Sequence, residues 1–156
     1  METQNEWYNR TAKAIDFQKD ALSKRAYKKY KLDLLLRIAG RVDDFSSYCG
    51  ECQAFKGEIT GLIEELGNLV QLSDTKERRR SYNKTISGMV KHLQKTHKLV
   101  SAGQNVGIWM AIGTGIGVAI GTALDNSGVG PALGIGIGLA IGSYLDKKAK
   151  EEGKVI

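Results

Sequence analysis

The chain has 156 residues, with 23 Lys/Arg against 17 Asp/Glu for a net charge of +6, 19 glycines and a single proline. That length fits one modest domain plus a membrane element, and the basic balance favours anionic partners over cationic ones. No GxxxxGK, GxSxG or HExxH pattern occurs, so nucleotide-cradling, serine-hydrolase and zincin chemistry lack their residues, and neither enzyme activity nor a cofactor is expected.

Charge divides the chain sharply. Residues 1–98 carry 19 Lys/Arg and 13 Asp/Glu, a net of +6, whereas residues 99–145 carry Asp125 alone. The expected division is a basic helical domain over 1–104, a transmembrane helical hairpin over 105–146 and a basic tail over 147–156, giving an all-α membrane protein. The first domain lacks proline. An opening helix is expected around Trp7–Leu36, with Trp7, Ala14, Phe17, Ala21 and Leu22 apolar.

Within that helix Lys24, Arg25, Lys28, Lys29 and Lys31 interleave with Tyr27 and Tyr30. Lys76, Arg78, Arg79 and Arg80 form a second basic cluster. Cations beside aromatic rings suit a nucleic-acid backbone, with tyrosine able to stack on a base. Solvated helix faces or attraction to anionic lipid are the alternatives. Arg78–Arg80 precede Val106 by more than 25 residues, about 40 Å along a continuous helix, which is several Debye lengths from a membrane surface. A soluble polyanion therefore suits that cluster better.

Leu35, Ile38, Val42, Phe45, Cys49, Cys52, Ile59, Ile63, Leu66 and Val70 alternate three- and four-residue steps, broken only by Lys56. This predicts one long helix packing in a coiled-coil manner. Leu72-Ser73-Asp74 offers a turn and a cap. A second seam runs through Tyr82, Ile86, Met89, Leu93, Thr96 and Val100 towards Gly103 and Gly107, which predicts a helix continuous with the first membrane span. Such seams want partner helices, so a homo-oligomer is expected.

All cysteines and histidines fall into one pattern, Cys49-x-x-Cys52 followed by His92-x4-His97. As residue types these match a Cys2His2 zinc site. On a helix, however, His92 and His97 point about 140° apart, and cysteines on an apolar seam behave as small hydrophobes. No metal is expected on that ground, with zinc at these four residues as the alternative.

Ile112–Asp125 reads IGTGIGVAIGTALD and Leu133–Asp146 reads LGIGIGLAIGSYLD, a repeat offset by 21 residues. Gly113, Gly117 and Gly121 fall four apart, as do Gly130, Gly134, Gly138 and Gly142, so each helix carries a glycine stripe suited to close helix packing. Interior glycine costs a water-exposed helix about 1 kcal/mol each. In lipid, by contrast, small-xxx-small stripes drive association. The expected spans are 106–124 and 129–145, about 28 and 25 Å long against a hydrocarbon core of roughly 30 Å. Lysines flank both outer ends (Lys91, Lys95, Lys98; Lys147, Lys148, Lys150) and none lies in the turn Asp125-Asn126-Ser127-Gly128. That distribution predicts a plasma-membrane hairpin with both termini cytoplasmic. With the N-terminus polar from Glu2, insertion is expected to rely on the hairpin. The alternative is a soluble glycine-rich hairpin, since Gly134–Gly138 also alternates with the period of a strand.

The doubled segment resembles the glycine-zipper hairpins of small bacterial membrane proteins. The layout as a whole is similar to the channel-forming effectors of Hailong-type anti-phage defence. That resemblance implies a tetrameric two-span pore whose basic helical domain binds a short single-stranded oligonucleotide made by a partner nucleotidyltransferase. The ligand would sit at Lys24–Lys31 and Arg78–Arg80. Thr114, Ile116, Ile120, Thr122, Ile137, Ile141 and Ser143 are then candidates for the pore wall and gate, with Asp125 outside and Asp146, Lys147 and Lys148 inside setting selectivity at the mouths. A membrane-anchored coiled-coil scaffold and an ungated holin-like pore are the alternatives.

Overall fold

Residues 5–69, 76–124 and 128–156 are described in a computed structural model of the chain. Among them it is all-α, with seven helices and no strand, and it divides into two units, 1–97 and 98–156. The expected turn at Leu72-Ser73-Asp74, the seam residue Val70, and Asp125, Asn126 and Ser127 lie outside the described residues.

The first unit breaks into more helices than its apolar seams suggest. Helix α1 (Glu6–Ala21) buries Trp7, Thr11 and Ile15, a one-face stripe at four-residue steps, and leaves Phe17 74% exposed on the other side. It stops where Leu22 turns extended (ψ 146°), after which Ser23 caps α2 (Lys24–Lys29) by accepting the Ala26 N–H at 3.2 Å. Lys31, in the left-handed region at φ 51°, then separates α2 from α3 (Leu32–Phe45). The single helix expected over Trp7–Leu36 is therefore three elements, divided by a cap and a left-handed residue.

The seam from Leu35 onward is likewise two helices, α3 and α4 (Gly50–Leu69), folded against each other. Its break at 46–49 is polar and local. The Ser46 hydroxyl donates to the Asp43 carbonyl at 2.9 Å, and the Cys49 N–H donates to that of Phe45 at 2.9 Å. Serine competes for backbone groups in this way and ends helices. The seam residues Leu35, Ile38, Val42, Cys52, Ile59, Ile63 and Leu66 still form the core, but of a hairpin rather than of one extended coil. Helix α1 packs on α3 and α4, and α5 (Lys76–Thr96) packs on α3 and buries Tyr82, Ile86, Met89 and Leu93 of its predicted seam, whereas Thr96 is exposed.

Lys56, the one polar interruption of the seam, is explained by its partners. Its Nζ lies 2.6 Å from Asp43 Oδ1 and 5.0 Å over the Trp7 ring. Asp43 is 2% exposed and takes the Asn5 N–H on its other oxygen at 2.9 Å. A buried carboxylate needs such a partner.

Residues 97–103 are not assigned to a helix, so α5 and α6 (Gln104–Ala123) are not the continuous helix that the seam predicts. Lys98 (φ 57°) and Gly103 (φ 74°) are left-handed. Between them the backbone pairs with the chain's end: Val100 N–H to Lys154 O at 2.8 Å, Ile156 N–H to Val100 O at 3.0 Å, and Ala102 N–H to Ile156 O at 3.1 Å. Helix α7 (Val129–Glu151) runs six residues beyond the expected span and closes at Gly153 (φ 66°). There Lys154 N–H bonds Ala149 O and Gly153 N–H bonds Lys150 O, a Schellman ending. The last residues are thus tied to the hairpin, with Ile156 buried.

Helices α6 and α7 are long and apolar enough to cross a bilayer, with mean hydropathies of 1.6 and 1.3 over their most apolar windows. They face each other through glycine. A Cβ on Gly117 would fall on the Gly130 carbonyl and 3.2 Å from Gly134 Cα, and a Cβ on Gly134 would fall on the Gly113 carbonyl. Further along, Gly138 meets Trp109 O and Gly142 lies against Val106 Cα. Asp146 caps α6. Its carboxylate accepts the N–H groups of Asn105 and Val106, both at 3.1 Å, and the Asn105 side-chain amide at 2.9 Å. An anion there answers the positive end of the helix dipole.

Gly134→Leu is expected to abolish the helix pair, whereas Gly136→Ala, with open space around the new methyl, leaves it intact. Proximity labelling between single cysteines introduced on α6 and α7 distinguishes the two. Lys56→Leu should take away the cation paired with the buried Asp43 carboxylate and lower stability by about 3 kcal/mol, read as a shifted denaturation midpoint. Lys56→Leu combined with Asp43→Leu should recover much of the loss.

Candidate functional site

The basic clusters meet through a tyrosine pair. The α2 C-cap Tyr30 is 3% exposed, its ring 5.3 Å from and perpendicular to that of Tyr82, whose hydroxyl donates to the Tyr30 carbonyl at 2.8 Å. Burial holds the Tyr82 phenol well above its ordinary pKa, so it remains a donor. Arg79 lies three residues before Tyr82, on the same side of α5, and is thereby carried to α2. An open cavity of about 730 Å³ is lined there by Arg25, Lys28, Lys29 and Arg79, with Ser23 and Tyr30 at its edge. A second, of about 610 Å³, is lined by Lys19, Lys24, Arg25, Tyr27 and Lys28. Arg25 and Lys28 serve both, and among the described residues neither cavity is lined by a carboxylate. Volumes near these suit small organic ligands.

Of the nine basic residues read from the sequence, five therefore converge. Lys31, Lys76, Arg78 and Arg80 line neither cavity; Arg78 and Arg80 each point about 100° away from Arg79 around α5. Of the two tyrosines read as stacking platforms, Tyr30 is spent in the core. Tyr27 stays partly exposed, its hydroxyl donating to Asp33 at 2.5 Å. That bond pushes the phenol up to about 12.

Cysteines and histidines converge at the opposite end of α5. Cys49 ends the turn before α4 and Cys52 sits in the first turn of α4. His92 lies in the last turns of α5, but α5 stops at Thr96 and His97 is already off the helix. The His97 N–H still bonds the Leu93 carbonyl at 3.2 Å, and although two histidines five apart leave a helix about 140° apart, their rings come within 5.2 Å of each other. His92 Nε2 is 3.4 Å from Cys49 Sγ and 3.5 Å from Cys52 Sγ, and His97 Nε2 is 3.3 Å from Cys52 Sγ. All four ligand atoms lie within 4.8 Å of one another.

Their surroundings are organised. His92 Nδ1 bonds Glu51 Oε2 at 2.9 Å, Phe45 stacks on the His97 ring at 3.9 Å and 3°, and Phe55 meets His92 edge-on at 5.3 Å. Burial, then the Cys49 thiol, pushes the Cys52 thiol up to about 12, and burial with His92 nearby holds His97 below its ordinary value. These are the directions of a pocket holding neutral groups.

In the hairpin, Thr114 and Thr122 turn their hydroxyls onto the carbonyls of Met110 and Val118, at 2.7 and 2.9 Å. Ile116, Ile120, Ile137, Ile141 and Ser143 are exposed. No protein-family model, curated protein or solved structure matches the chain.

If the cavities take a short single-stranded oligonucleotide, Arg79→Glu should weaken its binding about tenfold or more. It should also flatten the dependence of log affinity on log salt by about 0.7 for each phosphate no longer neutralised. Arg80→Glu, outside the cavities, should change it far less. Fluorescence anisotropy at two salt concentrations measures both.

Proposed function

We propose that this protein is an oligomeric membrane channel whose helical unit binds a short anionic, oligonucleotide-like ligand and gates the pore. The observation that carries the reading is the outward surface of the hairpin. With one glycine row of each helix turned inward, the outward side is largely apolar, with Ile116, Ile120 and Ile137 at 57%, 53% and 60% exposure. Lipid accommodates such a surface, whereas water does not.

The same surface carries a second row of small residues. Gly107, Ala111, Gly115 and Ala119 on α6, and Ala132, Gly136 and Ala140 on α7, recur every fourth position and are exposed. Nothing approaches Gly107, Gly115 or Gly136 within 4 Å of an added Cβ. Such a row admits another helix at close range. It supports a homo-oligomer of glycine-zipper hairpins, a tetramer by the layout resemblance, in the bacterial inner membrane with both termini cytoplasmic. Around the shared axis the exposed isoleucines, with Ser143, would form a constriction that closes by dewetting. The carboxylate-free cavity between α2 and Arg79 supports an anionic ligand as the signal. A nucleotidyltransferase product in anti-phage defence is the role the layout suggests.

The inward glycine row is satisfied within one chain, and this favours a second reading: a hairpin that only anchors an interaction module. Planar-bilayer current from purified protein, modulated by added oligonucleotide, is the expected result for a channel. Gly136→Leu should keep the helix pair but lose both the oligomer, by mass photometry in nanodiscs, and the current. A silent bilayer with wild-type protein would leave the anchor.

A further inference from the structure

We propose that Cys49, Cys52, His92 and His97 bind one zinc ion, which clasps the α3–α4 turn to the end of α5. This assignment is independent of whether the hairpin conducts.

The geometry is that of a closed tetrahedral site. With Zn–S of about 2.3 Å and Zn–N of about 2.0–2.1 Å, the S···N edge of a tetrahedron is about 3.5–3.6 Å. Three of the four sulfur–nitrogen separations here are 3.4, 3.5 and 3.3 Å, and all four ligand atoms lie within 4.8 Å of one another. The nitrogens facing the sulfurs are Nε2 on both rings. The far nitrogen of His92 is held by Glu51, the carboxylate–histidine pairing that fixes which nitrogen presents its lone pair to a metal. Two thiolates, two neutral imidazoles and Zn2+ sum to zero charge, so the site tolerates the burial of Cys52.

Ligand softness selects the ion. Two sulfurs and two imidazoles exclude Mg2+ and Ca2+ and favour zinc among the common divalent ions. Four protein ligands leave no open position, which makes the ion structural and not hydrolytic. Its consequence is topological. Ligands 40 to 48 residues apart become linked, so the ion closes a long loop that an unfolded chain would leave open. His97 is also the last residue of the helical unit, so the clasp fixes where the chain leaves it. An apolar seam explains buried cysteines, but it does not explain four ligand atoms aimed at one point.

The test uses the full chain in detergent, without a polyhistidine tag, purified from zinc-supplemented cells. Elemental analysis should find about one zinc per chain. Cys52→Ser and His97→Gln should each abolish it, and Glu51→Gln should weaken affinity by about 10- to 100-fold while keeping the stoichiometry. Because ligand variants can fail to fold, the wild type is also stripped with chelator and titrated with Co2+. The expected spectrum is that of tetrahedral cobalt with thiolate charge-transfer bands, and stripping should lower Tm by about 10 °C or more. Protein purified without metal, with its two cysteines disulfide-linked or with cobalt taken up only in octahedral form, would overturn the assignment.

Discussion

Between α6 and α7 the carbonyl oxygens of one helix stand where the other's side chains would begin, at Gly113 and Gly134 and again at Gly117 and Gly130. Only glycine permits this. Backbones so close gain dispersion contacts along the helix axes and leave the bulky residues no position but outward. The outward isoleucines and leucines follow from that one contact. Asp146 and the paired C-terminal residues then close the hairpin's open end, so the element is finished within a single chain.

The helical unit rests on a different balance. Its core is ordinary aliphatic packing, but three polar devices orient its helices. Lys56 and Asp43 join α4 to α3 beneath Trp7, Tyr82 ties α5 to the α2 corner, and the cysteine–histidine cluster gathers the far end of α5 against the α3–α4 turn. Each replaces apolar contact with a directional bond, which specifies register more sharply than packing alone. Arg79 reaches the basic cavity only because Tyr82 holds α5 in place, so the candidate ligand site is a product of the core.

Several features were legible in residues alone. The charge partition, the 21-residue repeat and the four-residue glycine spacing identify an apolar helical pair, because hydropathy and periodicity are local properties. The core positions of α5 were legible for the same reason. Helix breaks were not. Ser23, Lys31 and the turn at 46–49 interrupt seams whose three- and four-step spacing survives a fold-back unchanged, and periodicity cannot distinguish a bent seam from a straight one. The left-handed Lys98 left no warning, since lysine seldom adopts that backbone.

What the sequence determined by itself is composition along the chain: where charge stops, where glycine recurs, and which residues are able to ligate or to attract an anion. Tertiary structure alone decided which of them meet. The glycine rows pair with each other because the hairpin brings their faces together. Arg79 joins α2 while Arg78 and Arg80 do not, because helical rotation admits one of three. His92 and His97 converge because the core sets the end of α5 against the two cysteines of the α3–α4 turn, a meeting that the spacing of the two histidines does not encode.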